Sequence, residues 1–211
     1  MSQRNVTTGT LFTIGHSNHD LGDFLSVLIN HGVQTLCDVR SRPGSFRFPQ
    51  FNREPLEALL TSAGLRYEFF GEALGGRPAD PRAYHADGRV DYAARRKSSE
   101  FAAGIDRLLE LSRVTNTVLL CAEEDPLQCH RFLMICPALL ERGVIPAHIR
   151  RGGILESQRE AEDRLLELHG RTAFATGSLF VSERDFAIEE ALQLQAREFA
   201  FRGSPKSLEY F

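Results

Sequence analysis

The chain has 211 residues, of which 42% are hydrophobic and 25% charged, a composition typical of a folded globular domain. Its formal net charge of −3 at pH 7 argues against a globally basic surface that would bind nucleic acid. No apolar run approaches the roughly 20 residues that a membrane-spanning helix needs, and the polar residues 1–10 lack a signal-peptide core. We therefore expect a cytoplasmic protein with no membrane partner.

Apolar runs that alternate with capped helical patterns indicate the fold class. The predicted strands cover residues 11–14, 35–40, 65–70, 117–120 and 144–149. The predicted helices cover residues 20–32, 55–63, 91–111 and 132–140. This alternation predicts an α/β fold, with a mainly parallel sheet of about five strands and helices on both faces.

The chain after residue 150 has a different pattern, in which no strand is evident. Residues 155–168 and 184–199 are predicted to be helices, with loops at 170–176 and after 203. We predict an α/β domain over residues 1–150 that carries the site, and a helical extension over residues 151–211 packed on the same domain. Such a tail could also assemble copies of the chain, so a homo-oligomer stays open.

The most informative segment runs from Cys121 to Arg131, between a predicted strand and a predicted helix. It contains two thiols, three acids, an imidazole and a guanidinium. In open α/β sheets, ligands bind outside the carboxyl ends of the strands. Glu123 and His130 are therefore candidate acid–base groups, and Arg131 is a candidate anion-binding group.

Cys129 has two interpretations that the sequence leaves open. A helix N-terminus and the neighbouring His130 and Arg131 would favour a reactive thiolate. Alternatively, Cys129 lies on the same predicted helix face as Leu133 and is a buried core thiol. Cys121 and Cys129 are eight residues apart, wider than the usual zinc-ligand pairs, so we predict no metal ligands and leave cofactors unknown.

Other polar turns follow the remaining predicted strands. After the first strand, His16 is a candidate catalytic group, with Gly15 and Ser17 as binding residues. After the second, Asp38 and Arg40 form either an ion pair or part of a site. The remaining predicted substrate-binding residues are Arg42, Gly75, Gly76 and Arg77. We expect these turns to share one cleft.

The segments Thr13-Ile14-Gly15-His16-Ser17, Asp38-Val39-Arg40-Ser41-Arg42-Pro43-Gly44-Ser45, Leu74-Gly75-Gly76-Arg77 and Cys121-Ala122-Glu123 with Cys129-His130-Arg131 occur in this order. Together they resemble the bacterial and archaeal domain-of-unknown-function family 488 over roughly residues 11–149. The resemblance implies an α/β fold and a shared site, but no reaction. A fainter likeness to rhodanese and cysteine-phosphatase domains lacks the phosphatase spacing of Cys, five residues, Arg.

Three functions fit these observations. The first is an enzyme or ligand-processing domain for an anionic, phosphate- or nucleotide-like small molecule. The second is a nucleic-acid or nucleotide-binding module without catalysis, since Arg42 and Arg47 alternate with Phe46, Phe48 and Phe51. The third is an interaction protein that assembles through its helical tail.

Overall fold

The structure, a computed structural model, describes residues 9–172 and 181–203. Its strands are β1 Leu11–Gly15, β2 Thr35–Asp38, β3 Arg66–Phe69, β4 Thr117–Cys121, β5 Ala147–Ile149 and β6 Leu155–Ser157. Its helices are α1 Leu21–Asn30, α2 Arg53–Ser62, α3 Gly71–Leu74, α4 Tyr92–Arg96, α5 Ser99–Ser112, α6 Cys136–Glu141, α7 Gln158–Leu168 and α8 Val181–Phe199. The strands form one sheet in the order β3-β2-β4-β1-β5-β6. All neighbours are parallel except β6, which runs antiparallel to β5. The predicted α/β class is confirmed.

Both faces of the sheet are buried, because successive residues of a strand point to opposite sides. On the central strand β4, Val118 and Leu120 belong to a cluster with side chains of α1 and α2. Leu119 and Cys121 belong to the opposite cluster, with side chains of α5 to α8. Two covered faces explain why this strand is a continuous apolar run and not an alternating one.

The sixth strand was missing from the sequence prediction, which began a helix at residue 155. Leu155–Ser157 instead pairs with β5, and α7 begins only at Gln158. Ser157 caps this helix, because its hydroxyl accepts from the Glu160 N–H while the Glu160 side chain accepts from the Ser157 N–H. This capping box is a sequence signal for a helix that begins after Ser157.

The single helix predicted over residues 91–111 is also wrong, because the structure divides it in two. Asp91 caps α4 by accepting from the Ala94 N–H, and α4 ends at Arg96. Ser98 then caps α5 by accepting from the Phe101 N–H. A serine at a cap position competes with the helix for backbone hydrogen bonds, so the break has a local cause.

The last helix, α8, packs on the α/β domain. Ala187, Ala191 and Leu192 belong to the same buried cluster as one face of the sheet, and the Gln195 amide donates to the Leu127 carbonyl at 3.0 Å. Residues 173–176 and those after 203, where loops are predicted, lie outside the described residues. Within the described ranges no helix, α8 included, is both long and apolar enough to cross a bilayer.

A buried histidine, His148, joins β5 to its neighbours. Its Nδ1 lies 2.8 Å from the Thr13 hydroxyl and its Nε2 lies 3.1 Å from Oε1 of Gln158. Since that amide oxygen only accepts, Nε2 carries the hydrogen and Nδ1 accepts from Thr13. Burial, followed by the charge of Arg131, lowers the pKa of His148 from 6.5 to about 4. The ring is therefore neutral at neutral pH.

We expect His148 to make the protein less stable in acid. The unfolded chain takes up this proton near pH 6.5, whereas the folded chain resists it down to about pH 4. The stability that neutral His148 contributes is therefore complete above pH 6.5 and falls by about 3 kcal/mol as the pH drops to 4. Urea unfolding of the wild type and of His148→Gln at several pH values measures this. The difference between their unfolding free energies should shrink as the pH falls, and a constant difference would contradict the assignment.

Candidate functional site

A cleft of about 600 Å³ lies at the carboxyl edge of the sheet. It forms where β1, β4 and β2 end side by side, since Gly15 pairs with Cys121 and Asp38 pairs with Leu120. Turns from three neighbouring strands therefore open into the same space, as the sequence predicts.

Most of the predicted site residues line this cleft. They are His16, Ser17, Arg40, Arg42, Gly76, Arg77, Glu123, Cys129 and His130. The other predicted residues do not line the cleft but lie next to residues that do, namely Gly15, Asp38, Gly75 and Arg131. The cleft also has lining residues that the sequence analysis did not consider, among them Phe199 and Phe201.

The turns after β1 and β4 are held against each other. The His16 N–H donates to the Cys121 carbonyl at 3.0 Å, and the Ser17 N–H donates to the Ala122 carbonyl at 2.8 Å. Gly15 makes this approach possible, because a Cβ there would lie only 1.6 Å from the Glu123 carbonyl oxygen. Gly15 therefore positions the site without lining it.

His16 is buried and fixed in one orientation. Its ring stacks on Phe51 with centroids 4.6 Å apart, and its Nδ1 donates to the Ser17 carbonyl at 3.0 Å. Burial, followed by the charge of Arg40, lowers the pKa of His16 to about 4. Since Nδ1 carries the hydrogen, Nε2 of this neutral ring is the proton-accepting nitrogen.

Asp38 and Arg40 form the ion pair that was one of the two interpretations of these residues. The Arg40 guanidinium donates to both carboxylate oxygens at 2.9 and 2.5 Å, and the Tyr67 hydroxyl donates to the same carboxylate at 2.9 Å. Burial opposes the charge of Arg40, but these hydrogen bonds raise its pKa. Because Arg40 also lines the cleft, this buried ion pair is part of the wall.

Three side chains that we call the Cys–His cluster, Cys121, Cys129 and His130, form the inner end of the cleft. The His130 Nδ1 lies 3.6 Å from the Cys121 sulfur and 3.7 Å from the Cys129 sulfur. The His130 Nε2 lies 2.9 Å from the Val39 carbonyl, which fixes the hydrogen on Nε2 and leaves Nδ1 facing the sulfurs.

The two thiols have opposite electrostatic surroundings. Burial raises the pKa of Cys121 well above its ordinary value. For Cys129, burial is outweighed by the Cys121 thiol and by the charges of Arg131 and His130, which hold its pKa well below the ordinary value. The backbone N–H of Arg131 also donates to the Cys129 sulfur at 3.5 Å. Cys129 is buried, yet it faces the cleft, so the structure combines features of both interpretations of this thiol.

The two glutamates after β4 point in different directions. Glu123 faces the cleft, where its Oε2 accepts from the Cys121 thiol at 3.1 Å. Burial, followed by Cys129, raises the pKa of Glu123. Glu124 instead accepts two hydrogen bonds from the Arg150 guanidinium at 3.0 and 2.8 Å. Of this pair, only Glu123 lines the cleft.

Arg131 is completely buried and holds the turn after β4 in shape. Its guanidinium donates to the carbonyls of Glu123 and Glu124 at 2.5 and 2.6 Å. Arg131 is not among the residues that line the cleft, so its position suits a role in shaping the loop more than in binding a ligand.

The glycine pair before Arg77 packs tightly against His130 and Ser41. A Cβ on Gly76 would lie 2.8 Å from Cγ of His130, and a Cβ on Gly75 would lie 2.3 Å from the Ser41 hydroxyl. The Arg77 N–H donates to that hydroxyl at 2.9 Å. The absence of side chains at Gly75 and Gly76 therefore lets this segment approach Ser41 and His130 and places Arg77 at the cleft.

Two of the arginines that line the cleft lie against aromatic rings. The Arg77 guanidinium lies 4.4 Å from the ring centre of Phe201, and the Arg47 guanidinium lies 5.4 Å from that of Phe48. Phe201 comes from the chain beyond α8, and no local sequence signal connects it to the motifs after the strands. The extension thus supplies one wall of the cleft.

A family profile described as "Domain of unknown function DUF488" matches residues 20–135. Because this match spans more than half of the 211 residues, the chain belongs to that family. The matched segment contains Arg40, Arg77 and the whole Cys–His cluster, while His16 lies before it. No curated protein and no solved structure matches the chain. The function must therefore be argued from the site itself.

Proposed function

We propose that the protein is an enzyme that binds an anionic, phosphate- or nucleotide-like small molecule in the cleft and acts on it there. The single observation that carries this proposal is the arrangement of one cleft, with arginines at its rim and buried histidines and thiols at its inner end. A substrate anion held at the rim would place its neighbouring atoms over the groups that do chemistry.

The rim supports the anion-binding part of the proposal. Arg42, Arg47 and Arg77 line the cleft beside the Asp38–Arg40 ion pair. Guanidinium groups match the oxygens of a phosphate in geometry as well as in charge. The aromatic rings of Phe48 and Phe201 add flat surfaces on which the base of a nucleotide could stack.

The inner end supports the catalytic part. The neutral His16 ring offers Nε2 as a proton acceptor, and Glu123 is a second acid–base group. The Cys129 sulfur is a candidate nucleophile, and the His130 ring lies beside it. Four free cysteines further favour a reducing, cytoplasmic setting.

An anion panel tests the proposal by thermal unfolding. Inorganic phosphate and nucleoside mono-, di- and triphosphates are added to the wild type, to Arg77→Gln and to the control Arg113→Gln. Arg113 is exposed and follows α5, at the opposite edge of the sheet, so its substitution removes the same charge elsewhere. The best ligand, at about 100 times its Kd, should raise the melting temperature of the wild type and the control by about 5–10 °C.

Arg77→Gln should weaken that ligand about tenfold or more, because it loses a charge-assisted hydrogen bond. An absence of any shift across the panel would contradict the proposal. Equal weakening in Arg77→Gln and Arg113→Gln would reduce the effect to net charge and would contradict the assigned rim.

One observation favours a second candidate, a module that binds single-stranded nucleic acid. Phe46 is fully exposed, at 105% of its reference area, directly beside the Arg47–Phe48 pair. Exposed aromatic rings next to arginine are used to stack unpaired bases. A salt-dependent affinity for single strands that exceeds the affinity for mononucleotides would favour this candidate over the enzyme.

A further inference from the structure

The Cys–His cluster brings together three side chains of the types that bind transition metals. The two sulfurs and the His130 Nδ1 all lie within 4.8 Å of one another. Cys121 ends β4, whereas Cys129 follows the single helical turn Pro126–Gln128, which folds the chain back beside the strand end. The sequence separation therefore conceals a close approach in space.

The two nitrogen–sulfur distances within the cluster match those of a tetrahedral zinc site. Zinc lies about 2.3 Å from a thiolate sulfur and about 2.0–2.1 Å from an imidazole nitrogen, so neighbouring ligands of a tetrahedron are about 3.6–3.8 Å apart. The observed distances from Nδ1 of His130 to the two sulfurs are 3.6 and 3.7 Å. The two sulfurs lie within 4.8 Å of each other and would need to be about 3.8 Å apart around the ion.

The groups around the cluster also suit a metal centre. The Val39 carbonyl accepts from Nε2 of His130 and so directs Nδ1 toward the sulfurs, as the outer contacts of zinc-binding histidines do. The backbone N–H of Arg131 donates to the Cys129 sulfur and would stabilise a thiolate ligand there. Two thiolates and one imidazole favour zinc over magnesium or calcium, which prefer oxygen ligands.

We propose that Cys121, Cys129 and His130 bind one zinc ion, with the fourth coordination position open to the cleft. The proposal departs from the sequence-based expectation of no metal ligands. All three residues line the cleft, and Glu123 lies at the same place, with its Oε2 3.1 Å from the Cys121 sulfur. An open position of this kind is characteristic of catalytic zinc sites with three protein ligands. The role of the ion in turnover rests on the proposed function, whereas zinc binding itself does not.

Metal content and cobalt spectroscopy test the proposal on the full chain, purified without a histidine tag. We expect about one zinc per chain and, after exchange into cobalt, the thiolate-to-cobalt charge transfer and intense visible bands of a tetrahedral site. Cys129→Ser and His130→Gln should lose the stoichiometric metal. The control Cys136→Ala, which removes a buried thiol outside the cluster, should keep it. Metal retained in Cys129→Ser, or a wild type that takes up neither ion, would overturn the proposal.

X-ray absorption of the zinc-loaded wild type keeps the test decisive even if a variant does not fold. Two sulfurs at about 2.3 Å and two lighter ligands at about 2.0–2.1 Å are expected, and a site without sulfur would overturn the proposal. The anion panel is repeated on chelator-treated protein to separate the two proposals. Anion binding without zinc binding overturns only the zinc site, and zinc binding without anion binding overturns only the proposed function.

Discussion

Replacing Asp38 with alanine is expected to destabilise the protein by about 3–5 kcal/mol, because it leaves the buried Arg40 guanidinium without its counter-charge. The Asp38 side chain is fully buried and accepts from Arg40 and from the Tyr67 hydroxyl. Urea unfolding followed by circular dichroism measures the loss.

The matched control is Asp106→Ala, which removes the partner of Arg142 in an exposed ion pair of the same type. Exposed pairs contribute only about 0–1 kcal/mol, so this variant should remain close to the wild type. If Asp38→Ala loses no more stability than Asp106→Ala, the ion pair does not anchor the wall of the cleft.

Gly15→Ala is expected to cost about 3 kcal/mol or more, because the added methyl group would overlap the Glu123 carbonyl. The overlap, at 1.6 Å, involves backbone and not the end of a flexible side chain, so the turns after β1 and β4 must separate. We expect the variant to lose anion binding as well as stability, measured by ligand-induced shifts of the melting temperature.

Gly44→Ala is the control for this substitution, because a Cβ at Gly44 would have no neighbour within 4 Å although the residue lines the same cleft. It should be neutral or stabilise slightly by restricting the unfolded chain. A Gly15→Ala protein as stable as Gly44→Ala would show that the two turns are not packed as described.

The sequence predicts the sheet well because its central strands are buried on both faces. The run Val118-Leu119-Leu120 needs no alternation to be recognised, since each residue enters one of the two cores. β6 was not predicted, because it is a short edge strand that is mostly exposed. Only the middle residue of Leu155–Ser157 is buried, and three edge residues leave almost no pattern.

The position of a residue at the cleft was predictable where it directly follows a strand. His16, Arg40 and Glu123 reach one cleft because the ends of parallel neighbouring strands meet at one edge. Side-chain direction was not predictable, since Arg131 turns toward the Glu123 and Glu124 carbonyls. Contacts between residues that are far apart in the sequence were likewise not predictable.

Phe201 and the Cys–His cluster illustrate that last limit. Phe201 reaches Arg77 only because α8 packs on the sheet domain. The cluster forms only because the turn Pro126–Gln128 returns Cys129 to the end of β4. Both depend on tertiary packing, which local propensity and residue spacing do not encode.

The most direct test of the central claim is a crystal structure of the protein grown with the phosphate or nucleotide that gives the largest thermal shift. The account predicts electron density for the anion within hydrogen-bonding distance of Arg77, with the rest of the ligand directed toward His16 and the Cys–His cluster. Density in the smaller hollow of about 300 Å³ between α4 and α8, where Arg96 and Arg197 lie, or an empty cleft at saturating ligand, would contradict it.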